Sequence, residues 1–227
     1  MRKLHRKLRI TLAIAWVALL PFTALAAETF QFTILGIDCE GCAPAIRSAL
    51  KGIKGVRDPK LDWKAGVATV QIPEGFDKSK IKTAIDKIGY EAVFPGELQK
   101  DLRPLPEDVV RTLDIVSYDG KQKVDFPKVL ASGKVTVVDY GAEWCSPCKF
   151  QDARLQHYVR GNPKVAVRRV DVGRWDNAAA RQATKEFRTE ALPYVRVYGP
   201  DGKFVGDVTG GSWTTLLKLL EKAQGRG

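Results

Sequence analysis

A chain of 227 residues, 44% hydrophobic and 28% charged, has room for a targeting segment and two small domains. Its formal net charge is +11, yet beyond residue 26 the densest basic cluster is only Arg168-Arg169, which excludes a nucleic-acid-binding arm. His157 is the only histidine beyond that point and Met1 the only methionine, which excludes His- or Met-built copper sites and a catalytic histidine triad.

Residues 1–9 are basic, Ile10 to Leu20 is almost wholly apolar, and Ala24-Leu25-Ala26 offers small residues for cleavage before Ala27. This is the pattern of a secretory signal peptide over 1–26 and implies a periplasmic protein. An uncleaved anchor is the alternative, but Ile10 to Ala27 spans 18 residues and contains Pro21, short of the roughly 20 that a spanning helix needs. Without the five basic residues of 1–26 the net charge is +6, and the excess lies in 112–227, with nineteen basic and thirteen acidic residues. A solvated basic face, with acidic proteins as second choice of partner, accounts for it.

The four cysteines form two tight pairs, Cys39/Cys42 and Cys145/Cys148. Closing so short a loop removes little chain entropy, so neither pair serves as a structural staple. A shared four-cysteine zinc site is disfavoured by the 102 residues between the pairs. Both read as chemical sites.

In the first half, Thr29 to Leu35 alternates as a half-buried strand, and Gly36-Ile37-Asp38-Cys39-Glu40-Gly41-Cys42 leads into a helix over Ala43 to Lys51. Strands over Val56 to Trp63 and Val67 to Ile72, a helix over Lys78 to Ile88 and a strand over Tyr90 to Phe94 complete a βαββαβ order, that of a ferredoxin-like α+β sandwich. With Gly-Ile-Asp-Cys-Glu-Gly-Cys at its first loop and Gly89-Tyr90-Glu91-Ala92 near its end, this segment (27–97) resembles heavy-metal-associated domains of copper chaperones, metal-pump tails and mercury-binding proteins. The resemblance implies that Cys39 and Cys42 bind a soft ion, Cu(I) or Hg(II), two thiolates on one loop suiting low coordination. Ile37 stands where that family usually has Met, a change in packing beneath the loop. Asp38 is similar to the Asp of zinc, cadmium and lead pump tails and adds a carboxylate that favours a divalent ion such as Zn(II); the other reading of Asp38 is a helix cap. Tyr90 either approaches the metal loop or is a core tyrosine.

Residues 98–111, with Pro104 and Pro106, read as a semi-rigid linker. Leu113 to Ser117 and Lys121 to Asp125 around Asp119-Gly120 predict a hairpin. In 112–227 the pattern predicts strands over Val135–Tyr140, Val165–Val172, Tyr194–Tyr198 and Phe204–Val208, with helices over Cys148–Val159, Ala178–Phe187 and Trp213–Ala223. A strand that breaks into a helix at Cys145-Ser146-Pro147-Cys148 sets the first sulfur against unpaired N–H groups and the positive end of the helix. Lowering a thiol pKa from ~8.5 to ~7 raises the thiolate fraction about fifteen-fold and costs about five-fold in nucleophilicity, so the rate at Cys145 depends mostly on access and geometry.

Val138-Asp139-Tyr140-Gly141-Ala142-Glu143-Trp144-Cys145-Ser146-Pro147-Cys148-Lys149 resembles the active-site segment of the thioredoxin family, an α/β fold. The resemblance implies a thiol–disulfide oxidoreductase with a redox-active Cys145–Cys148 disulfide, in which Cys145 attacks and Cys148 resolves. It makes Asp139 the buried acid that relays a proton, Trp144 a shaper of the surface, and Pro193 the cis-proline beside which a client strand docks. Arg169 falls where the family often has a partner lysine, or is a surface arginine. The expected whole is an exported monomer with no nucleic-acid partner, acting on protein disulfides or metal-site thiols, with a membrane reductant or metal transporter as further partners. Tethering gives the dithiol a local concentration of about millimolar toward Cys39/Cys42. The rival expectations are a metal carrier whose thioredoxin fold only docks partners, and an enzyme whose first domain merely passes electrons.

Overall fold

In the computed structural model, residues 27–226 are described; the leader expected over 1–26 lies outside them. Among the described residues no helix is long and apolar enough to cross a membrane.

The alternation of Phe30, Phe32 and Ile34 buries one face of β1 (Ala27–Leu35). β1 pairs antiparallel with β3 (Val67–Pro73) and β4 (Glu91–Val93), and β3 with β2 (Arg57–Asp62), giving the sheet order β2-β3-β1-β4. The Asp62 carboxylate accepts from the Lys64 and Ala65 N–H groups at 3.0 Å each and so fixes the β2–β3 turn. Helices α1 (Ala43–Lys51) and α2 (Ser79–Lys87) lay Ile46, Leu50, Ile81 and Ile85, each wholly buried, on the sheet. Each such side chain contributes up to about 1.5–3 kcal/mol of transfer free energy. The βαββαβ sandwich expected for this segment is present.

A short helix, α3 (Glu107–Val110), ends the connector. The connector is not a free spacer: Leu105 N–H donates to Gln156 Oε1 at 2.7 Å, and the Arg103 carbonyl lies 2.9 Å from His157 Nε2.

The second sheet has the order β5-β7-β6-β8-β9, from β5 (Ile115–Tyr118), β7 (Val165–Asp171), β6 (Val135–Gly141), β8 (Tyr194–Tyr198) and β9 (Phe204–Thr209). β5, β7 and β6 run parallel; β8 runs antiparallel to β6, and β9 antiparallel to β8. Covered on both faces, β6 is a continuous buried run rather than an alternating one. α5 (Ser146–Gly161) and α7 (Trp213–Ala223) pack on the face of Val135 and Val137, whereas α6 (Ala178–Glu186) and the short α4 (Phe126–Val129) cover Val138 and Tyr140.

The hairpin expected around Asp119-Gly120 does not form. β5 pairs in parallel with β7, from Ile115↔Val167 to Tyr118↔Val170, and no strand occupies 121–125. Gly120, at φ +70°, crosses so close to the Asp171 carbonyl that a β-carbon there would overlap it. Its own carbonyl accepts from Ala179 N–H at 3.0 Å. The Asp-Gly turn hands the chain across the sheet end to α4 instead of folding it back.

Candidate redox and metal centres

Strand β6 ends at Gly141, where a β-carbon would press on the Cys148 side chain at 3.3 Å. Cys145 follows in an extended conformation as N-cap of α5, its Sγ accepting from Cys148 N–H at 3.2 Å, with Pro147 in the first turn. The first sulfur therefore sits at the helix N-terminus, as expected, and is bonded to Cys148 Sγ. Trp144 is 56% exposed, and its Nε1–H donates to the Gly173 carbonyl at 2.7 Å, which fixes the ring beside the disulfide. Cys145 is 5% exposed and Ser146 4%.

Asp139 on β6 is buried and lines one cleft with Cys148, and its carboxyl is pushed up to about 7, chiefly by burial and next by the charge of Asp152. Gln151 Nε2–H donates to Asp139 Oδ1 at 2.8 Å and acts in the opposite direction, as does the charge of Arg169. Arg169 pairs with Asp152 rather than with Asp139 itself, Nε to Oδ1 at 2.5 Å. A cleft of about 280 Å³ lined by Asp139, Cys148, Asp152 and Arg169 connects the acid to the surface. Gln151 was not among the expected site residues. A polar residue in the Cys148, Leu155, Val159 stripe of a helix was the signal of a buried partner.

Leu192–Pro193 is a cis bond, and Pro193 is buried. A β-carbon on Gly211 would lie 2.8 Å from its Cγ, and its carbonyl accepts from Gly210 N–H at 2.9 Å.

In the first domain, one carboxylate oxygen of Asp38 and the sulfurs of Cys39 and Cys42 lie within 4.8 Å of one another. One carboxylate and two sulfurs form a donor set suited to a soft or borderline ion once the Cys39–Cys42 disulfide is reduced. Cys39 is half-buried and Cys42 buried. Asp38 caps no helix: neither the 3₁₀ turn Glu40–Cys42 nor α1 has a side-chain cap. Ile37 packs against the first core, and Tyr90 is a buried member of it whose phenol is pushed up by that burial.

A family model described as heavy-metal-associated domain matches residues 31–91, and one described as thioredoxin matches 119–222. A thioredoxin H-type 1 of Nicotiana tabacum is 33% identical over 97 residues, 43% of this chain and 72% of that protein. The chain belongs to the thioredoxin family. A thioredoxin of Coprinus comatus is 28% identical over 101 residues, 44% of this chain and 90% of its own length. A copper-exporting P-type ATPase of Bacillus subtilis is 32% identical over 74 residues, 32% of this chain and 9% of the ATPase. The protein thus joins a heavy-metal-associated domain to a thioredoxin-family thiol–disulfide oxidoreductase.

The two domains meet at their cysteine loops. Ser146 Oγ–H of the thioredoxin domain donates to the Gly36 carbonyl at 3.0 Å, and Lys149 Nζ donates to Asp38 Oδ2 at 3.3 Å. Gly36, at φ +91°, packs closely against Phe150, where a β-carbon would lie 2.5 Å from the ring. Farther along α5, Arg154, with a side chain 2% exposed, pairs with Glu91 at 2.9 Å and stacks on Phe150 at 3.9 Å. Asp86 caps the thioredoxin domain's last helix from the other domain: it accepts from Ser212 Oγ–H at 2.5 Å, Trp213 N–H at 3.0 Å and Thr214 N–H at 3.2 Å. Asp86, Glu91 and Arg154 have no short-range sequence signature, because each acts only once the two domains are in contact.

Proposed function

We propose that the thioredoxin dithiol serves the metal-binding thiols of its own chain, in an exported protein that handles a soft metal ion. The observation that supports this most is the pair of contacts from Ser146 and Lys149, which flank the active-site cysteines, to Gly36 and Asp38 of the metal loop. Cys145 and Cys148 enter the reaction as a dithiol, reduced by an external dithiol reductant. The Cys145 thiolate attacks the Cys39–Cys42 disulfide; one S–S bond forms as another breaks, releasing one metal-loop thiolate. Cys148 then attacks Cys145, leaving the Cys145–Cys148 disulfide and a reduced Cys39/Cys42 pair. Asp139 takes the Cys148 proton in that second step, a role its raised pKa and the cleft it shares with Cys148 suit. The ion leaves and enters as cargo, held by Cys39 and Cys42 with Asp38 as third donor.

Cu(I) is the first candidate, supported by the low-coordination thiolate loop and by the likeness to a copper-exporting ATPase; Hg(II) and Zn(II) follow. The basic and apolar leader over 1–26 supports a periplasmic location, with a metal transporter and a membrane reductant as partners. Insulin-disulfide reduction by the full chain tests the enzyme half: turnover that Cys145→Ser abolishes is expected, and no turnover would leave the thioredoxin domain as a docking module. Native mass spectrometry of the reduced protein purified from periplasm tests the metal half, expecting one soft ion that Cys39→Ser with Cys42→Ser removes.

A further inference from the structure

The thioredoxin face that a protein client would need is already occupied in this molecule. Cys145 is 5% exposed and Pro193 buried, although Trp144 beside them is 56% exposed. Groups of the first domain lie against the residues around them, Ser146, Pro147, Phe150 and Gly210. Gly89, at φ +84°, is wedged between Pro147 and the Gly210 carbonyl, where a β-carbon would lie 2.9 Å from Pro147 Cβ and 3.0 Å from that oxygen. A β-carbon on Gly211, which covers Pro193, would come 3.0 Å from the Gly89 Cα. The loop at Gly36 closes the other side through Ser146 and Phe150. The pair of buried Arg154 with Glu91 and the Asp86 cap on α7 also fasten the two domains, through contacts that involve no cysteine.

We infer that the first domain is the resident occupant of the client-docking face, so that foreign protein disulfides reach Cys145 only after the two domains part. The inference rests on the thiol-exchange reading of Cys145. The closure is asymmetric. Cys39 stays half-buried and Asp38 exposed, so a protein exchanging metal reaches its loop in the closed form. The cleft to Asp139 is lined only by thioredoxin-domain residues, so the proton path also stays open. The partner this face fits is therefore the chain's own metal loop, and a protein client competes with it. If only the open form reacts, a client's apparent affinity and the labelling rate of Cys145 both scale with the open fraction.

The test uses the full-length reduced protein and two variants that unfasten separate interdomain contacts involving no cysteine, Glu91→Gln and Asp86→Asn. Two readouts are taken: the rate of Cys145 alkylation by iodoacetamide, followed by peptide mass spectrometry, and kcat/KM for insulin. Both should rise, by about tenfold for a face open roughly a tenth of the time in the wild type. Equal alkylation rates in the wild type and both variants, each with wild-type circular dichroism, would overturn the inference. Absent insulin reduction in all three, with alkylation still accelerated, would count against the thiol-exchange reading and leave the occlusion standing. A measurement on the unaltered chain guards against misfolded variants. Carbodiimide should join the Asp38 carboxylate to the Lys149 amine across the closed interface, and that product should alkylate more slowly at Cys145 than the untreated chain. Unchanged alkylation in the joined product would also overturn the inference.

Discussion

Asp38 and Lys149 meet at 3.3 Å, Oδ2 to Nζ, and so join a donor of the metal loop to the residue that follows Cys148. Both side chains are about half exposed, so the pair adds little to stability. Its significance is positional, because it sets the metal loop against the first turn of α5. An ion that takes up the Asp38 carboxylate must compete with Lys149 for it.

The roles proposed for the two sulfurs separate in single variants. Cys145→Ser should abolish disulfide exchange. Cys148→Ser should retain attack and accumulate mixed disulfides, because nothing remains to resolve them. Non-reducing mass spectrometry after mixing with oxidised insulin distinguishes the two. Trapping by Cys145→Ser and not by Cys148→Ser would reverse the assignment.

Asp139 makes stability depend on pH with an unusual sign for a carboxyl group. Its folded pKa of about 7 lies above the ordinary 3.8, so between these values the folded chain holds a proton that the unfolded chain has released. Stability therefore falls as pH rises from about 4 to 7 and levels off above, by roughly 4 kcal/mol across the whole window. Asp139→Asn should remove this slope and stabilise the oxidised protein at pH 8 far more than at pH 4. Gln151→Leu, which deletes the donor 2.8 Å from Asp139 Oδ1, should extend the falling segment to higher pH while its start stays near pH 4. Urea midpoints at pH 4, 6 and 8 check both; a slope unchanged in Asp139→Asn would contradict them.

Much of this was legible in the sequence because it is local. The alternation of Phe30, Phe32 and Ile34, the apolar run of β6 and the strand–Cys-x-x-Cys–helix junction each fit within a dozen residues, and each formed where expected. The hairpin at Asp119-Gly120 misled because the same turn chemistry serves a hairpin and a crossing, and the parallel partner of β5 lies some fifty residues on, in β7. Asp38 was ambiguous between cap and ligand; its true neighbour, Lys149, is 111 residues away. The same holds for the Glu91–Arg154 pair and for the Asp86 cap, separated from their partners by 63 and 127 residues.

Metal selectivity should follow the donor set. In the reduced full-length chain, Asp38→Ala should weaken Zn(II) binding by about tenfold or more, the loss of one charged donor, while Cu(I), satisfied by two thiolates, changes little. Competition titrations with a chromogenic chelator for each ion measure this. Equal losses for both ions would mean that Asp38 acts on the fold of the loop and not as a ligand.

The central claim is that the thioredoxin dithiol reduces the metal-loop disulfide within one chain. The direct measurement starts with Cys39–Cys42 oxidised and Cys145/Cys148 reduced, and follows the Cys39/Cys42 state by alkylation and mass spectrometry. For comparison, a full-length chain with Cys39 and Cys42 replaced by Ser is mixed at micromolar concentration with one lacking Cys145 and Cys148. Within a single chain, transfer should be independent of protein concentration, and it should exceed the mixed reaction by roughly the ratio of millimolar effective to micromolar actual concentration, about a thousandfold. Bound metal should suppress it, since thiolates engaged by an ion are slow to oxidise. Equal rates for the single chain and the mixture, or a single-chain rate proportional to concentration, would contradict the account and leave two independent modules on one polypeptide.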